Sequence, residues 1–141
     1  MEQKPFEILT HTADVAIGVW GIDMADLLRN AARGLYCVVL TEDSKVRPTI
    51  TRRLSLESVD SDTLLVDWIN ELIYMIDAEQ LLFSMFEFDE LGAGRLEALA
   101  HGEYLDLSRH QLRREVKAAT YHMSHIEVSE QGLNARIILD V

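Results

Sequence analysis

The stretch LNARIILDV, residues 133–141, carries the pattern on which the fold prediction depends. Its residues form two alternating series: Leu133, Ala135, Ile137 and Leu139 make one, and Asn134, Arg136 and Ile138 make the other. This period of two is typical of a half-buried strand. Most chain ends fray into solvent. Here an apolar strand runs to the end instead and places Asp140 beside the terminal carboxylate of Val141, so two negative groups meet at one strand end.

Upstream of this strand, two segments have the spacing of helices. The first is predicted to begin at Asp23, a good N-cap, and the second follows Ser61 as its N-cap. Period-two segments predict strands at 5–10, 14–21, 49–58, 82–90, 95–103, 114–120, 124–129 and 133–139, with LGAG (91–94) and EQG (130–132) as turns. We therefore expect an α+β fold in which two helices pack on a mainly antiparallel sheet, as a single domain over residues 1–141.

Composition restricts the classes of function. Thirteen basic and 24 acidic residues give a net charge of −11, which repels phosphate backbones, so we expect no stable nucleic-acid binding by the chain alone. The charge suits cations or a basic protein surface. Neither an apolar run of about 18 residues nor a secretory leader is visible, so we expect no membrane association. The single Cys37 lies in an apolar run and is interpreted as a core thiol in a reducing cytoplasm.

The segment HTADVAI, residues 11–17, contains the first candidate site. Asp14 lies between two predicted strands, where rigid neighbours can hold a polar group. Together with Asp140 and the terminal carboxylate it forms a candidate site for a hard cation such as Ca²⁺ or Mg²⁺, which would relieve their repulsion. The alternatives are that Asp14 caps a turn, that His11 satisfies a backbone group and that the chain ends in a solvated acidic tail.

A second polar segment, GEYLDLSRHQLRREVKAATYH, spans residues 102–122. It contains no nucleophile elbow, zinc-protease motif or phosphate-binding loop. His122 and His125 are expected on opposite faces of a strand, which argues against a zinc pair. The segment also holds the main basic cluster, which is interpreted either as a solvated patch or as a contact for a partner or phosphate: Arg109, Arg113, Arg114 and Lys117.

Five blocks together resemble the archease family and cover nearly the whole chain in order: HTAD, DWINELIYMID, the GE…D…RH segment, EVKAATYH and ARIILDV. The resemblance implies a small α+β protein that is not itself an enzyme. It implies a protein cofactor for the RNA-splicing ligase RtcB, which promotes guanylylation and multiple turnover of the ligase in tRNA splicing or RNA repair.

The resemblance also implies specific site residues. Asp14, Asp140 and the main-chain oxygens of Val141 match the family's metal site, and calcium is the implied ion, with magnesium and manganese as alternatives. Lys117 matches a family lysine and is expected near the same polar surface, where it would meet a nucleotide phosphate or pair with a nearby acid. We expect His11 and Lys117 to belong to the partner or activation surface.

Two other functions would use parts of the same pattern. A stand-alone metal-dependent hydrolase would use Asp14, Asp140 and His11, but a hydrolytic site needs an open metal position and a general base, and nothing else converges on His11. A metal-independent, chaperone-like interaction module would expose apolar surface, whereas the apolar residues here mostly fit helix and strand faces.

Overall fold

The computed structural model describes residues 4–10, 14–122 and 124–141. Its elements, in chain order, are β1 (Phe6–Thr10), β2 (Asp14–Gly21), α1 (Met24–Val39), β3 (Ile50–Glu57), α2 (Ser61–Glu79), β4 (Leu81–Gly92), β5 (Arg95–Tyr104), β6 (Ala118–Thr120), β7 (Glu127–Ser129) and β8 (Gly132–Asp140). The predicted α+β class, with two helices on antiparallel strands, is confirmed.

The strands form two sheets. The larger sheet has the order β1-β2-β8-β6, with β7 also paired to β8, and the smaller has the order β3-β5-β4. Every pairing is antiparallel. The alternating strand at the end of the chain, β8, is therefore paired with β2 on one side and with β6 and β7 on the other. Its apolar series is explained by burial, since Ala135, Ile137 and Leu139 lie in the core.

Both helices lie between the two sheets. α1 contacts β1, β2 and β8 of the larger sheet and β4 of the smaller one, and α2 contacts β6 and all three strands of the smaller sheet. Because each helix is covered on two sides, its apolar surface is wider than the single stripe of a surface helix. Trp68 of α2 is fully buried, donates from Nε1 to the carbonyl of Leu28 at 2.9 Å, and packs edge-on against Phe86.

The helix starts follow ordinary capping chemistry, with one correction to the sequence prediction. Asp23 caps α1 by accepting from the backbone N–H of Asp26, as predicted. The predicted N-cap Ser61 is wrong, since Asp60 caps α2 by accepting from the N–H of Thr63. Ser61 is the first helical residue. Of the two good capping residues, Asp60 is the one with an extended backbone whose carboxylate reaches the first turn.

Two predicted strands are shorter in the structure. Only Ala118–Thr120 of the predicted segment 114–120 and Glu127–Ser129 of 124–129 are strands. The residues before β6 are tied to the end of α1, because the N–H of Arg113 donates to the carbonyl of Val39 at 2.8 Å. None of the helices in the described part of the chain is both long and apolar enough to cross a membrane.

Candidate metal centre

The register of the larger sheet places two acidic residues directly opposite each other. β2 and β8 pair antiparallel, with Asp14 across from Asp140 at the end of the ladder. Residues opposite each other on an antiparallel pair project to the same face, with Cβ atoms about 4.5–5.5 Å apart. The structure thus brings together two residues that are 126 positions apart in sequence, from 14 to 140.

The two carboxylates lie on the face of the sheet that points away from the helices. Val15 and Ile17 of β2 are buried on the helix side, where a Cβ added to Gly34 of α1 would lie 2.8 Å from Cγ2 of Ile17. Because side chains alternate, Asp14 projects to the opposite face. Asp14 is half-buried and Asp140 is exposed, so the pair is accessible from outside.

The charges of this pair are uncompensated within the described residues. Among residues 4–10, 14–122 and 124–141, neither side-chain carboxylate forms an ion pair or a hydrogen bond. Like charges directly opposite on a sheet repel. Two carboxylates and adjacent main-chain oxygens are an all-oxygen donor set, which fits Ca²⁺, Mg²⁺ or Mn²⁺ better than a soft metal.

The described residues supply only part of a coordination shell. They contain no group of three or more His, Cys, Asp or Glu side chains arranged to hold a metal ion. Asp14 and Asp140 would therefore need main-chain oxygens, water or a partner's groups to complete six or more ligands. His11, the other polar candidate of the HTAD block, lies outside the described residues.

Two further candidate residues lie next to Asp140. The backbone N–H of Lys117 donates to the carbonyl of Asp140 at 2.8 Å, and the Lys117 side chain is exposed. Val141 is half-buried and packs against the core, which holds the end of β8 in place. The structure thus brings Asp14, Asp140, Val141 and Lys117 to one corner of the larger sheet.

The third strand at this corner, β6, is held by a side chain that the sequence analysis did not single out. Ala118 lies opposite Asp140 on the other side from Asp14. Asn70 of α2 bonds both main-chain groups of the next residue, Ala119. An asparagine within a strongly apolar helix was the available signal, because a polar group on a packed helix needs a partner.

The GE…D…RH segment forms a polar network away from the acidic pair. Glu103 is buried and accepts from Arg109, from the backbone N–H of Arg47 at 2.7 Å, and from Nε2 of His110 at 3.1 Å. Burial alone would raise the pKa of Glu103, but these hydrogen bonds outweigh it and lower the pKa to about 2. Nδ1 of His110 accepts from the N–H of Asp106, so the ring donates from Nε2 as a neutral imidazole. The network ties two loops together, and the side chains of Glu103, Arg109 and His110 are all hydrogen-bonded within it.

The predicted basic cluster is divided by the fold. Arg109 is paired with Glu103 and Asp106, whereas Arg113 and Arg114 border a separate cleft. The expectation that His122 and His125 share a strand is wrong, since neither lies in one. Nδ1 of His125 lies 3.0 Å from the carboxylate of Asp62 at the start of α2.

Comparison with known sequences shows that nearly the whole chain matches one protein family. The model of the family described as "Archease protein family (MTH1598/TM1083)" matches residues 6–141. The protein archease of Methanothermobacter thermautotrophicus is 39% identical over 142 residues, covering 98% of this chain and 99% of that protein. The protein archease of Methanosarcina acetivorans is 31% identical over 142 residues, with 98% and 97% covered.

Two solved structures share the architecture. The solution structure of protein 1598 of Methanobacterium thermoautotrophicum has a TM-score of 0.79 and 34% identity, covering 99% of this chain and all of that one. The crystal structure of an archease of Thermotoga maritima, described as a possible chaperone, has a TM-score of 0.62 and 21% identity, with 100% and 98% covered. The second likeness bears on the fold alone.

Proposed function

This chain belongs to the archease family, and we propose that it is the protein cofactor of an RtcB-type RNA-splicing ligase. In this proposal it promotes guanylylation of the ligase and allows multiple turnover in tRNA splicing or RNA repair. The chain itself is not an enzyme, and it works in the cytoplasm. The ligase carries out the chemistry, and this chain acts on the ligase.

The observation that carries the proposal is the cross-strand pair of Asp14 and Asp140. The pair is open to solvent, with Asp14 half-buried and Asp140 exposed, and no side chain among the described residues compensates its charge. Asp14, Asp140 and the main-chain oxygens of Val141 would hold a divalent cation, Ca²⁺ in this proposal, with Mg²⁺ or Mn²⁺ as alternatives. When bound, the cation supplies positive charge that can neutralise phosphate oxygens.

The chain's own contribution is positional. β2 and β6 flank β8 and hold the main chain of Asp140 from both sides, so the backbone at this corner needs little reordering when a partner docks. The backbone N–H of Lys117 donates to the carbonyl of Asp140. Its exposed side chain can pair with a phosphate or with an acid of the partner. We propose that His11 and Lys117 border the surface that the ligase meets.

Charge supports a protein partner over a nucleic-acid partner. A net charge of −11 disfavours stable contact with a phosphate backbone and favours a basic protein surface. The ligase, which binds RNA, would present such a surface. We therefore propose that this chain touches the ligase and forms no stable complex with RNA alone.

The test is multiple-turnover RNA joining by the cognate RtcB-type ligase at fixed divalent ion. The reactions contain no added protein, this protein, its Asp140→Asn variant, or a Glu57→Gln control. Glu57 is exposed on β3 of the smaller sheet, so the control removes one surface charge without touching the acidic pair. We expect stimulation by the wild type and the control, and its loss with Asp140→Asn.

Equal stimulation by all three proteins would keep the ligase as partner and remove the metal pair from the mechanism. No stimulation by the wild type would overturn the ligase proposal for this pair of proteins. Circular dichroism and a thermal melt of each variant show that the comparison is made between folded proteins.

The description of the Thermotoga maritima relative as a possible chaperone gives a second candidate function. Exposed apolar side chains on this chain, Trp20 of β2 among them, are the feature that favours it. Suppression of aggregation of unrelated proteins, without stimulation of any RNA ligase, would support this candidate over the cofactor role.

A further inference from the structure

A large cleft opens between the two sheets, at the side where α1 ends. Its volume is about 1060 Å³, and its floor is apolar, formed by Phe6 and Ile8 of β1, Tyr36 of α1, and Phe83 and Phe86 of β4. Ile8 is 40% exposed although it lies on the helix side of its sheet. The layers therefore do not close over this corner, and apolar surface remains open to solvent among the described residues.

The rim of the cleft is basic in a strongly acidic protein. Five cationic side chains line it, together with one acid, Glu42: Lys4, Arg33, Lys45, Arg113 and Arg114. Within the described ranges none of these five forms an ion pair. Four arginines elsewhere in the chain do form ion pairs: Arg52, Arg53, Arg95 and Arg109. In a chain with 24 acidic and 13 basic residues, this concentration of unpaired positive charge favours an anionic occupant.

The main chain of β1 offers a second kind of contact. β1 ends the larger sheet, and the carbonyl of Pro5 accepts from the N–H of Trp20 at 2.9 Å. Hydrogen-bonded positions alternate along an antiparallel pair, so the N–H and carbonyl groups of Phe6 and Ile8 point away from β2. An extended peptide can add to such an edge, with alternate side chains entering the neighbouring pocket.

On the opposite side of the cleft, main-chain groups at the edge of β4 already have hydrogen-bond partners. β4 ends the smaller sheet, but the N–H of Phe83 donates to the hydroxyl of Tyr36 at 3.3 Å. The carbonyl of Phe86 accepts from Nε of Arg29 at 3.3 Å. These contacts from α1 occupy edge positions of β4, so strand addition is favoured along β1.

We propose that this cleft binds an extended acidic peptide segment of a partner protein. The segment adds as a strand beside β1, places bulky apolar side chains on the aromatic floor, and sets its carboxylates against the basic rim. The site is distinct from the metal centre, because Val15 at the cleft and Asp14 project to opposite faces of β2. The proposal goes beyond the ligase role and does not depend on it.

Peptide binding without any ligase tests the proposal. The probe is a short fluorescein-labelled peptide in which glutamate alternates with leucine and phenylalanine. Its binding is measured by fluorescence anisotropy. We expect saturable binding that weakens with added salt. The double variant R113Q/R114Q should bind about tenfold more weakly, the loss expected when two rim charges of a partly desolvated groove are removed.

The matched control is the double variant R53Q/R136Q, which removes the same charge from two exposed arginines outside the cleft. It should leave peptide affinity within about twofold of the wild type, because screened charges at a distance contribute little. Equal losses in the two double variants would show general charge attraction and overturn the proposal. If R113Q/R114Q does not fold, Arg33→Gln serves in its place.

Two further readouts separate strand addition from other binding. Cys37, the only cysteine of the chain, lines the cleft, so bound peptide should slow its alkylation severalfold. A peptide with N-methylated alternate amides should lose binding, since it cannot complete the main-chain ladder. Absence of saturable binding, undiminished binding of the methylated peptide, or tighter binding of a single-stranded RNA oligonucleotide with the same dependence on Arg113 and Arg114 would each overturn the proposal.

Discussion

Asn70 of α2 bonds the main chain of Ala119 as a neighbouring strand would. Its Nδ2 donates to the carbonyl of Ala119 at 3.1 Å, and the N–H of Ala119 donates to its Oδ1 at 2.8 Å. The amide thereby fixes β6, whose Ala118 lies opposite Asp140. A single helix side chain thus sets the position of one edge of the acidic corner.

Replacing Asn70 by alanine should loosen this corner. Loss of both hydrogen bonds is expected to lower the free energy of unfolding by about 2 kcal/mol, since each net bond contributes about 1 kcal/mol. It should also weaken divalent-ion binding, because β6 is no longer held beside β8. Urea unfolding and calorimetric titration with calcium measure the two effects. Asp77→Ala, an exposed change on the same helix, is the control, and equal behaviour of the two variants would contradict the positional role.

The effect of Asp140→Asn on stability should change sign between chelator and calcium. In chelator, Asp140→Asn is expected to raise stability by about 0.5 kcal/mol, because it removes repulsion between directly opposed charges. With calcium at a hundredfold excess over its Kd, the wild type should gain about 2.7 kcal/mol and the variant far less. Thermal melts with calcium or with chelator measure both differences. A wild-type melting temperature that ignores calcium, magnesium and manganese alike would contradict the metal site.

Gly102 of β5 should tolerate no side chain. A Cβ there would overlap the carbonyl oxygen of Leu82 on the paired strand β4, and backbone cannot move aside cheaply. Gly102→Ala is therefore expected to cost about 3 kcal/mol or more, or to prevent folding. Gly92→Ala is the matched control, since nothing lies within 4 Å of its added Cβ. Chemical denaturation of both proteins measures the contrast, and similar midpoints would refute the close approach.

Glu103 should make the free energy of unfolding depend on pH in the acidic range. Its pKa falls from an ordinary 4.5 to about 2 in the folded protein, so the unfolded chain takes up the proton first as the pH drops. The stabilisation is complete above pH 4.5 and is lost progressively as the pH falls from 4.5 towards 2. Glu103→Gln should be destabilised by about 1–3 kcal/mol at neutral pH, because Arg109 loses its buried partner.

The gap in unfolding free energy between Glu103→Gln and the wild type should narrow as the pH falls through that window. Urea titrations at several pH values measure it. The exposed pair of Glu57 and Arg95, 3.8 Å apart, provides the control through Glu57→Gln, for which we expect a change within about 0.5 kcal/mol. A gap that stays constant from neutral pH to pH 2 would show that Glu103 is not the titrating group.

Local patterns were sufficient for much of the secondary structure. Alternation predicted β8, helical spacing predicted α1 and α2, and a good capping residue identified Asp23 as the start of α1. These features depend on interactions within a few residues, which a sequence displays directly. Where two adjacent residues both suit a cap, as Asp60 and Ser61 do, the pattern did not discriminate, because backbone angles decide which one caps.

What the sequence determined by itself was therefore the α+β class, the identity of most elements and the acids at the ends of β2 and β8. Only the tertiary structure decided that the strands divide into two sheets around the helices, since pairing joins residues far apart in the chain. It also decided the register that sets Asp14 against Asp140, and it separated Arg109 from the cleft lined by Arg113 and Arg114. The physical reason is that register and burial minimise the free energy of the whole core. That free energy depends on contacts between distant residues, which no short stretch of sequence contains.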